Sequence, residues 1–441
     1  MNDSTQRNPQ TAITVLLWSL IGLGIILRLV NPFFSNPVDF LESDPLRHFL
    51  NARECLRTGA DISVVYDILD PLGYQIWLSS VLRITGGDRT ALALYAGGLS
   101  VLTTWLWYRW MRLAVGNRVL ALTGYAILSL LPDWIRVNQF FLQETLILPL
   151  LGLSLWLSWI TMRRPTMPMY ISTGVAWGCA LLTKVTVLPM ALILAGWILW
   201  KTASDRSKLK LPLIAIATTL LIYSLGPIKI FNRIHAFVPI PAGDLNRIWF
   251  ESGNKDLNYK IKFVDMRQGY KEYEIRVGNP SLDLKLPPGF NWTTSRTGTC
   301  ETTVDYTAAL GNYFPASQMT LADRLKYTWE NIVYFFAGLS WPENHVTKDA
   351  KNGIYSQIFE SVRFIWLPIT LIIAALAIRQ KRLNLMTLLF FGSLSFFLFQ
   401  QSVITEARYK KPWEGVAIAT LLTLFTKPSS RKKNEDAESE S

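Results

Sequence analysis

Cysteine and histidine are scarce in this chain. Its 441 residues include three of each. Three cysteines make neither a disulfide framework nor a zinc-binding pattern, although Cys55 and Cys300 could pair in an oxidising compartment. His48, His235 and His345 stand far apart in sequence, whereas a zinc site needs three or four ligands in close geometry. Charge is scarce as well. Only 17% of residues are charged, against about 25% in an average soluble domain. The net charge is +12. In a soluble protein that balance would suggest nucleic acid. Here the Lys/Arg clusters lie between apolar blocks, so they read as cytoplasmic loops and imply no nucleic-acid partner. No internal repeat is visible. No cleavage site follows the first apolar run, which reads as an uncleaved anchor.

What the chain has in excess is apolar surface in long blocks. Half of its residues are hydrophobic, with 17 Trp, 16 Tyr and 22 Phe. Many of these aromatics fall near the ends of apolar runs, where amphipathic rings favour the membrane–water boundary. A window of about 19 residues predicts spans at 11–30, 90–108, 119–133, 139–160, 169–183, 185–200, 211–230, 360–378, 384–403 and 412–426. The expected fold is therefore an all-α polytopic membrane protein with about ten transmembrane helices.

Basic residues orient it. With the N-terminus in the cytoplasm, the inner loops carry Arg109, Arg112 and Arg118, then Arg163 and Arg164. Lys201, Arg206, Lys208 and Lys210 follow, then Arg379, Lys381 and Arg382. All obey the positive-inside rule. The expected location is the plasma (inner) membrane, with both termini cytoplasmic and two large segments, 31–89 and about 232–357, extracytoplasmic. The domain reading follows. Residues 1–230 form an N-terminal transmembrane module with outer loop 31–89. Residues 231–358 form an extracytoplasmic domain of α/β or irregular fold, punctuated by Gly and Pro. Residues 359–427 hold the C-terminal helices, and 428–441 a disordered cytoplasmic tail.

The outer loop has two Asp-Pro pairs. Asp44-Pro45 opens a stretch in which Leu46, Phe49, Leu50 and Leu56 keep helical spacing until Gly59. It predicts an amphipathic helix on the outer membrane surface. Asp70-Pro71 opens a more apolar helix through Trp77 and Leu82 to Gly86-Gly87. Asp before Pro is also a helix N-cap signature, and each aspartate admits that structural role. The functional reading of Asp44 is a general base that takes a proton from a hydroxyl nucleophile. Asp39 and Glu42 sit close by in sequence. With Asp44 they could in principle offer oxygen ligands to a divalent cation such as Mg or Mn, but such carboxylates do not establish a metal site.

Ionisable residues also occur where they are costly. Glu144 lies near the outer end of the fourth span, a depth at which a carboxylate needs a partner or a wet cavity. Lys184 and the run Glu406-Ala407-Arg408-Tyr409-Lys410-Lys411 break the positive-inside pattern. Cations at the outer mouth of an apolar bundle suit a lipid-borne phosphate; interfacial anchoring is the plainer alternative. Asn291-Trp292-Thr293 matches a glycosylation sequon, a pattern common by chance.

This plan resembles the GT-C superfamily of membrane glycosyltransferases, in particular its protein mannosyltransferase and aminoarabinose-transferase-like branch. Three pieces carry the resemblance. The first is an outer loop with an Asp-x-x-x-His/Tyr-x-x-x-Ala helix, here Asp44, His48 and Ala52. The second is an acidic residue at the outer start of the fourth span, here Glu144. The third is Glu-x-Arg-Tyr before a late span, here Glu406, Arg408 and Tyr409. The resemblance implies an inverting transfer on the outer leaflet. The donor would be a sugar on a polyprenyl phosphate, and the acceptor a glycan, lipid or protein. Asp44 and Glu144 would be catalytic, and Lys184, Arg408, Tyr409 and Lys410 would hold the donor phosphate. Glu42, His48, Asp70 and His345 would support the acceptor side. The chain departs from the branch in reading Asp44-Pro45 where the family often has Asp-Glu. It also lacks the Trp-Trp-Asp-Tyr-Gly element of the oligosaccharyltransferase cousin. Two other classes compete. A transporter of lipid-linked glycans would show internal repeats, and a polysaccharide polymerase or ligase would use a lipid diphosphate.

Overall fold

The computed structural model describes residues 9–41, 45, 48–49, 51–53, 56, 71–203, 209–234, 261–265, 271–275, 283–285, 301–303, 325, 329, 332–333, 335–336, 362–399 and 410–426. Helix α1 (Pro9–Phe34) is followed by a 3-10 turn, Pro37–Phe40, capped by Asn36. Described residues from Pro45 to Leu56 are helical, as the spacing predicts. Helix α2 (Leu72–Thr85) stops at Gly86, whose φ of 63° is the left-handed conformation that glycine takes without strain. Asp88 caps α3 (Arg89–Val115) through the backbone N–H of Ala91 at 2.8 Å. Asn117 likewise caps α4 (Arg118–Leu130), accepting from Leu120.

At Leu131 the chain breaks, because Pro132 has no N–H with which to continue the helix. The short α5 (Pro132–Arg136) and the 3-10 turn Val137–Gln139 leave α4 at 62°. Then come α6 (Gln143–Arg163), α7 (Met167–Thr183), α8 (Leu188–Thr202) and α9 (Lys210–Ile234). Beyond them β1 (Ile261–Asp265) pairs antiparallel with β2 (Lys271–Ile275), and β3 (Asp283–Lys285) with β4 (Glu301–Thr303). The described chain closes with α10 (Trp366–Arg379), α11 (Leu385–Phe399) and α12 (Lys411–Leu424).

Each of the ten apolar windows carries a helix. Among the described residues five helices are long and apolar enough to cross a bilayer, or six if the bent α4–α5 pair counts as one. Five or six of the ten expected spans are thus borne out by helix length and apolarity. Among the shorter helices, α10 and α12 have 14 residues each. That is roughly 21 Å of helix against a hydrocarbon core of about 30 Å. The domain of α/β or irregular fold expected over 231–358 has, among the described residues, two short strand pairs and helical residues between 325 and 336.

Packing holds the bundle together, since lipid tails are as apolar as leucine and give helices little reason to associate. Helices α7 and α9 meet through Gly174 and Gly178. A Cβ on Gly174 would lie 2.5 Å from the Ala215 carbonyl, and one on Gly178 would lie 2.6 Å from the Ile222 Cβ. Trp107 of α3 fills a slot between Gly152 of α6 and Gly415 of α12, and its indole N–H donates to the Leu148 carbonyl at 2.9 Å. Trp413 sits in an aromatic box of Phe335, Phe336, Trp366 and Phe390. At one end of the bundle, basic side chains take up terminal carbonyls. Arg163 donates to Leu113, and Arg382 to Thr423 and Thr426. Arg109 lies over the Trp105 and Trp156 rings there.

Substituting Gly178 by Leu should separate α7 from α9. Overpacking of this kind costs about 1–3 kcal/mol, which a lower melting temperature in detergent would report. Gly98 has no heavy atom within 4 Å of where its Cβ would stand, so Gly98→Ala should leave the melting temperature near wild type.

Candidate functional site

The opposite end of the bundle gathers buried charge. Glu144 lies in the first turn of α6, where the partial positive charge of the helix N-terminus favours an anion. Lys184 is the C-cap of α7, where a cation is favoured. The two elements run antiparallel and place these ends side by side, so the Lys184 ammonium donates to Glu144 Oε1 in an ion pair. Their side chains are only 7% and 2% exposed, respectively. The loop lysine and the span carboxylate, singled out separately in the sequence, are thus one unit.

The start of α2 packs on the end of α7 beside this pair. Gly73 lies so near α7 that an added Cβ would stand 2.9 Å from Thr183 Oγ1 and 3.0 Å from the Leu182 carbonyl. Next to it, Tyr74 meets His48 edge-on, with ring centroids 4.8 Å apart. His48 and Ala52 are both buried, and Ser79 donates to the Ala52 carbonyl. His48 and Ala52 are therefore packed against α2. Phe49 stacks on Phe141, and Phe40 tilts against Phe140. Asp44, Glu42, Asp70, His345, Arg408 and Tyr409 lie outside the described residues, as do Cys55, Cys300 and the Asn291 sequon.

A second charged cluster joins Lys410 and Lys411, already singled out in the sequence, to carboxylates inside the apolar windows. The Lys411 ammonium donates to Asp133 Oδ2 of α5 and lies 3.4 Å from Glu414 Oε1. Glu414 Oε2 also accepts from the Trp134 indole at 2.8 Å. Lys410 is buried beside them, within electrostatic reach of Glu414. Behind the cluster is Arg28 of α1, which is buried too. It donates to the carbonyls of Leu128, Ser129 and Trp134, and to Ser100 Oγ at 2.6 Å. The signal that could have found Arg28, Asp133 and Glu414 is their cost: an ionisable group inside an apolar window needs a partner.

Around the exit of α1, Arg89 donates to both Asp39 oxygens, at 2.5 and 2.6 Å. Asp39 also accepts from the Asn36 backbone N–H, at 3.1 Å. Arg89 holds the Asp39 carboxyl below its usual range. A depressed pKa stabilises the fold above the unfolded value of about 3.9. That contribution disappears as pH falls through the lower folded value. Among the described residues no three His, Cys, Asp or Glu side chains come together as metal ligands.

Fold and site together describe a multi-pass membrane protein with paired charges at one end of its helix bundle. Residues 70–227 match the family model described as dolichyl-phosphate-mannose-protein mannosyltransferase. The match runs from just before α2 into α9 and includes both Glu144 and Lys184. It bears out the resemblance to membrane glycosyltransferases over a little more than a third of the chain. No curated protein matches the chain.

The Glu144–Lys184 pair makes a stability prediction. Glu144→Ala leaves a buried lysine without this counter-charge and should cost about 3–5 kcal/mol. The double variant Glu144→Leu, Lys184→Met should recover most of that loss. Thermal unfolding of both in one detergent checks the pair. A double variant less stable than Glu144→Ala would show that the two charges do not compensate each other.

Proposed function

We propose that this protein is an inverting membrane glycosyltransferase of the GT-C type. It transfers a hexosyl or pentosyl unit from a polyprenyl-phosphate donor to a hydroxyl of a glycan, lipid or protein at the extracytoplasmic face of the plasma membrane. One observation carries the reading. The segment that matches the mannosyltransferase family is the segment whose helix ends hold the buried Glu144–Lys184 pair. The positive-inside rule supports the orientation: Arg109, Arg112, Arg163, Lys201 and Arg382 gather toward the other end, the cytoplasmic one in this reading.

In this scheme the acceptor hydroxyl attacks the anomeric carbon from the face opposite the phosphate. The bond from that carbon to the phosphate oxygen breaks, and Asp44 takes the hydroxyl proton. The lipid phosphate leaves as a stable anion, so cations can do the work of a general acid. Arg408, Lys410 and Lys184 supply that positive charge, with Tyr409 on the donor side and Glu144 fixing Lys184. His48, through its contact with Tyr74, supports the loop that carries Asp44, while Glu42, Asp70 and His345 border the acceptor. Residues 231–358, an extracytoplasmic domain in this reading, help to choose the acceptor.

The test is a panel of undecaprenyl-phosphate sugars given to the purified protein, with release of undecaprenyl phosphate as the readout. Asp44→Asn should lose at least about 100-fold in turnover. Arg408→Ala should weaken donor binding by about tenfold. Full turnover by Asp44→Asn removes the base assignment. Turnover only with lipid diphosphates would make the protein a polymerase or ligase instead.

A further inference from the structure

The segment from Leu131 to Glu144 is held from both sides. From α1, Arg28 donates to the Trp134 carbonyl at 2.9 Å. From α12, Lys411 pairs with Asp133, and Glu414 takes the Trp134 indole N–H. These side chains are all buried. The same segment continues into Phe140 and Phe141, whose rings meet Phe40 and Phe49 at 4.8 and 5.5 Å. Phe40 and Phe49 flank Asp44 in the sequence. One short stretch of chain thus touches the start of α12 on one side and the walls of the outer loop on the other, then delivers Glu144.

Fastening α12 to the bundle does not require this network. Trp413 in its aromatic box and Gly415 against Trp107 already do so with apolar contacts. Buried ion pairs are rarely a gain over such contacts, and their best-attested use is to fix register. Hydrogen bonds to charged groups impose direction that apolar packing lacks.

We propose that Asp133, Trp134, Lys411 and Glu414 are positioning residues for donor binding. They set the register of the start of α12, with Lys410 immediately before it, against the segment that supports the outer loop. The network thereby fixes where the phosphate of a lipid-linked sugar lies relative to the attacking hydroxyl. This inference rests on the glycosyltransferase reading above.

Trp134→Phe keeps an aromatic ring against Trp107 and removes the indole N–H. Glu414→Gln keeps size and an oxygen acceptor but removes the charge. Steady-state kinetics of the full-length protein with its polyprenyl-phosphate donor should show donor KM raised about tenfold in both, with acceptor KM within about twofold of wild type. Loss of folded enzyme would lower kcat and leave both KM values alone, so the split separates positioning from bulk stability. Lys411→Arg should keep the donor KM near wild type, and Lys411→Met should raise it. If Trp134→Phe fails to fold, Glu414→Gln and the Lys411 pair decide the outcome. Unshifted donor KM in the folded variants overturns the inference and leaves the glycosyltransferase reading standing. A wild-type protein that turns over no polyprenyl-phosphate sugar overturns both.

Discussion

A carbonyl inside a bilayer must find its donor within the protein, and at the end of α4 that donor is Arg28. Pro132 ends the helix among buried residues, which strands the last carbonyls of α4. Only a side chain with several donors in a planar fork can serve several carbonyls at once, and arginine is that side chain. It reaches Leu128, Ser129 and Trp134 together. The bend at Leu131 rests on this clamp, and the bend places Asp133 and Trp134. Those two residues in turn meet the start of α12. A single guanidinium in the first span thereby connects the order of the N-terminal helices to the last helix of the bundle.

The remaining charges at this end follow the same logic of internal satisfaction. Glu144 and Lys184 lie at a helix start and a helix end, so each is favoured by its own backbone before the two meet. Lys411 shares two carboxylates from different helices. Such placement cannot occur at mid-span, where helix termini are lacking and every backbone group is already bonded. These buried charges gather at the end of the bundle because the end is where the backbone offers partial charges.

How much of this was legible depended on what each residue needed in order to be seen. Asp88 and Gly86 act on their immediate neighbours. The helix stop at Gly86-Gly87, being local, could be read directly. The ten helices were visible because hydropathy averages over a window. That same averaging hid Arg28, Asp133 and Glu414, each a lone charge diluted by apolar neighbours. Glu144 and Lys184 stood out as costly residues, but their pairing joins positions 40 residues apart in sequence and needed the antiparallel arrangement of α6 and α7. Helix length was the least legible property. An apolar window says where a helix runs, not where its capping and proline breaks end it.

These pairings also sharpen the proposed chemistry. A lipid phosphate brings its own negative charge. Lys184 already faces Glu144, and Lys410 and Lys411 share their surroundings with Asp133 and Glu414. Cations matched in this way give a phosphate less attraction than the same cations alone, because the neighbouring carboxylates repel it. Their stronger contribution is a rigid frame whose shape does not change when the donor arrives, the condition under which fixed charge stabilises a leaving group well. Within the proposed scheme the added attraction then falls most heavily on Arg408. Its planar fork suits phosphate oxygens, and it precedes the anchored start of α12 by only a few residues.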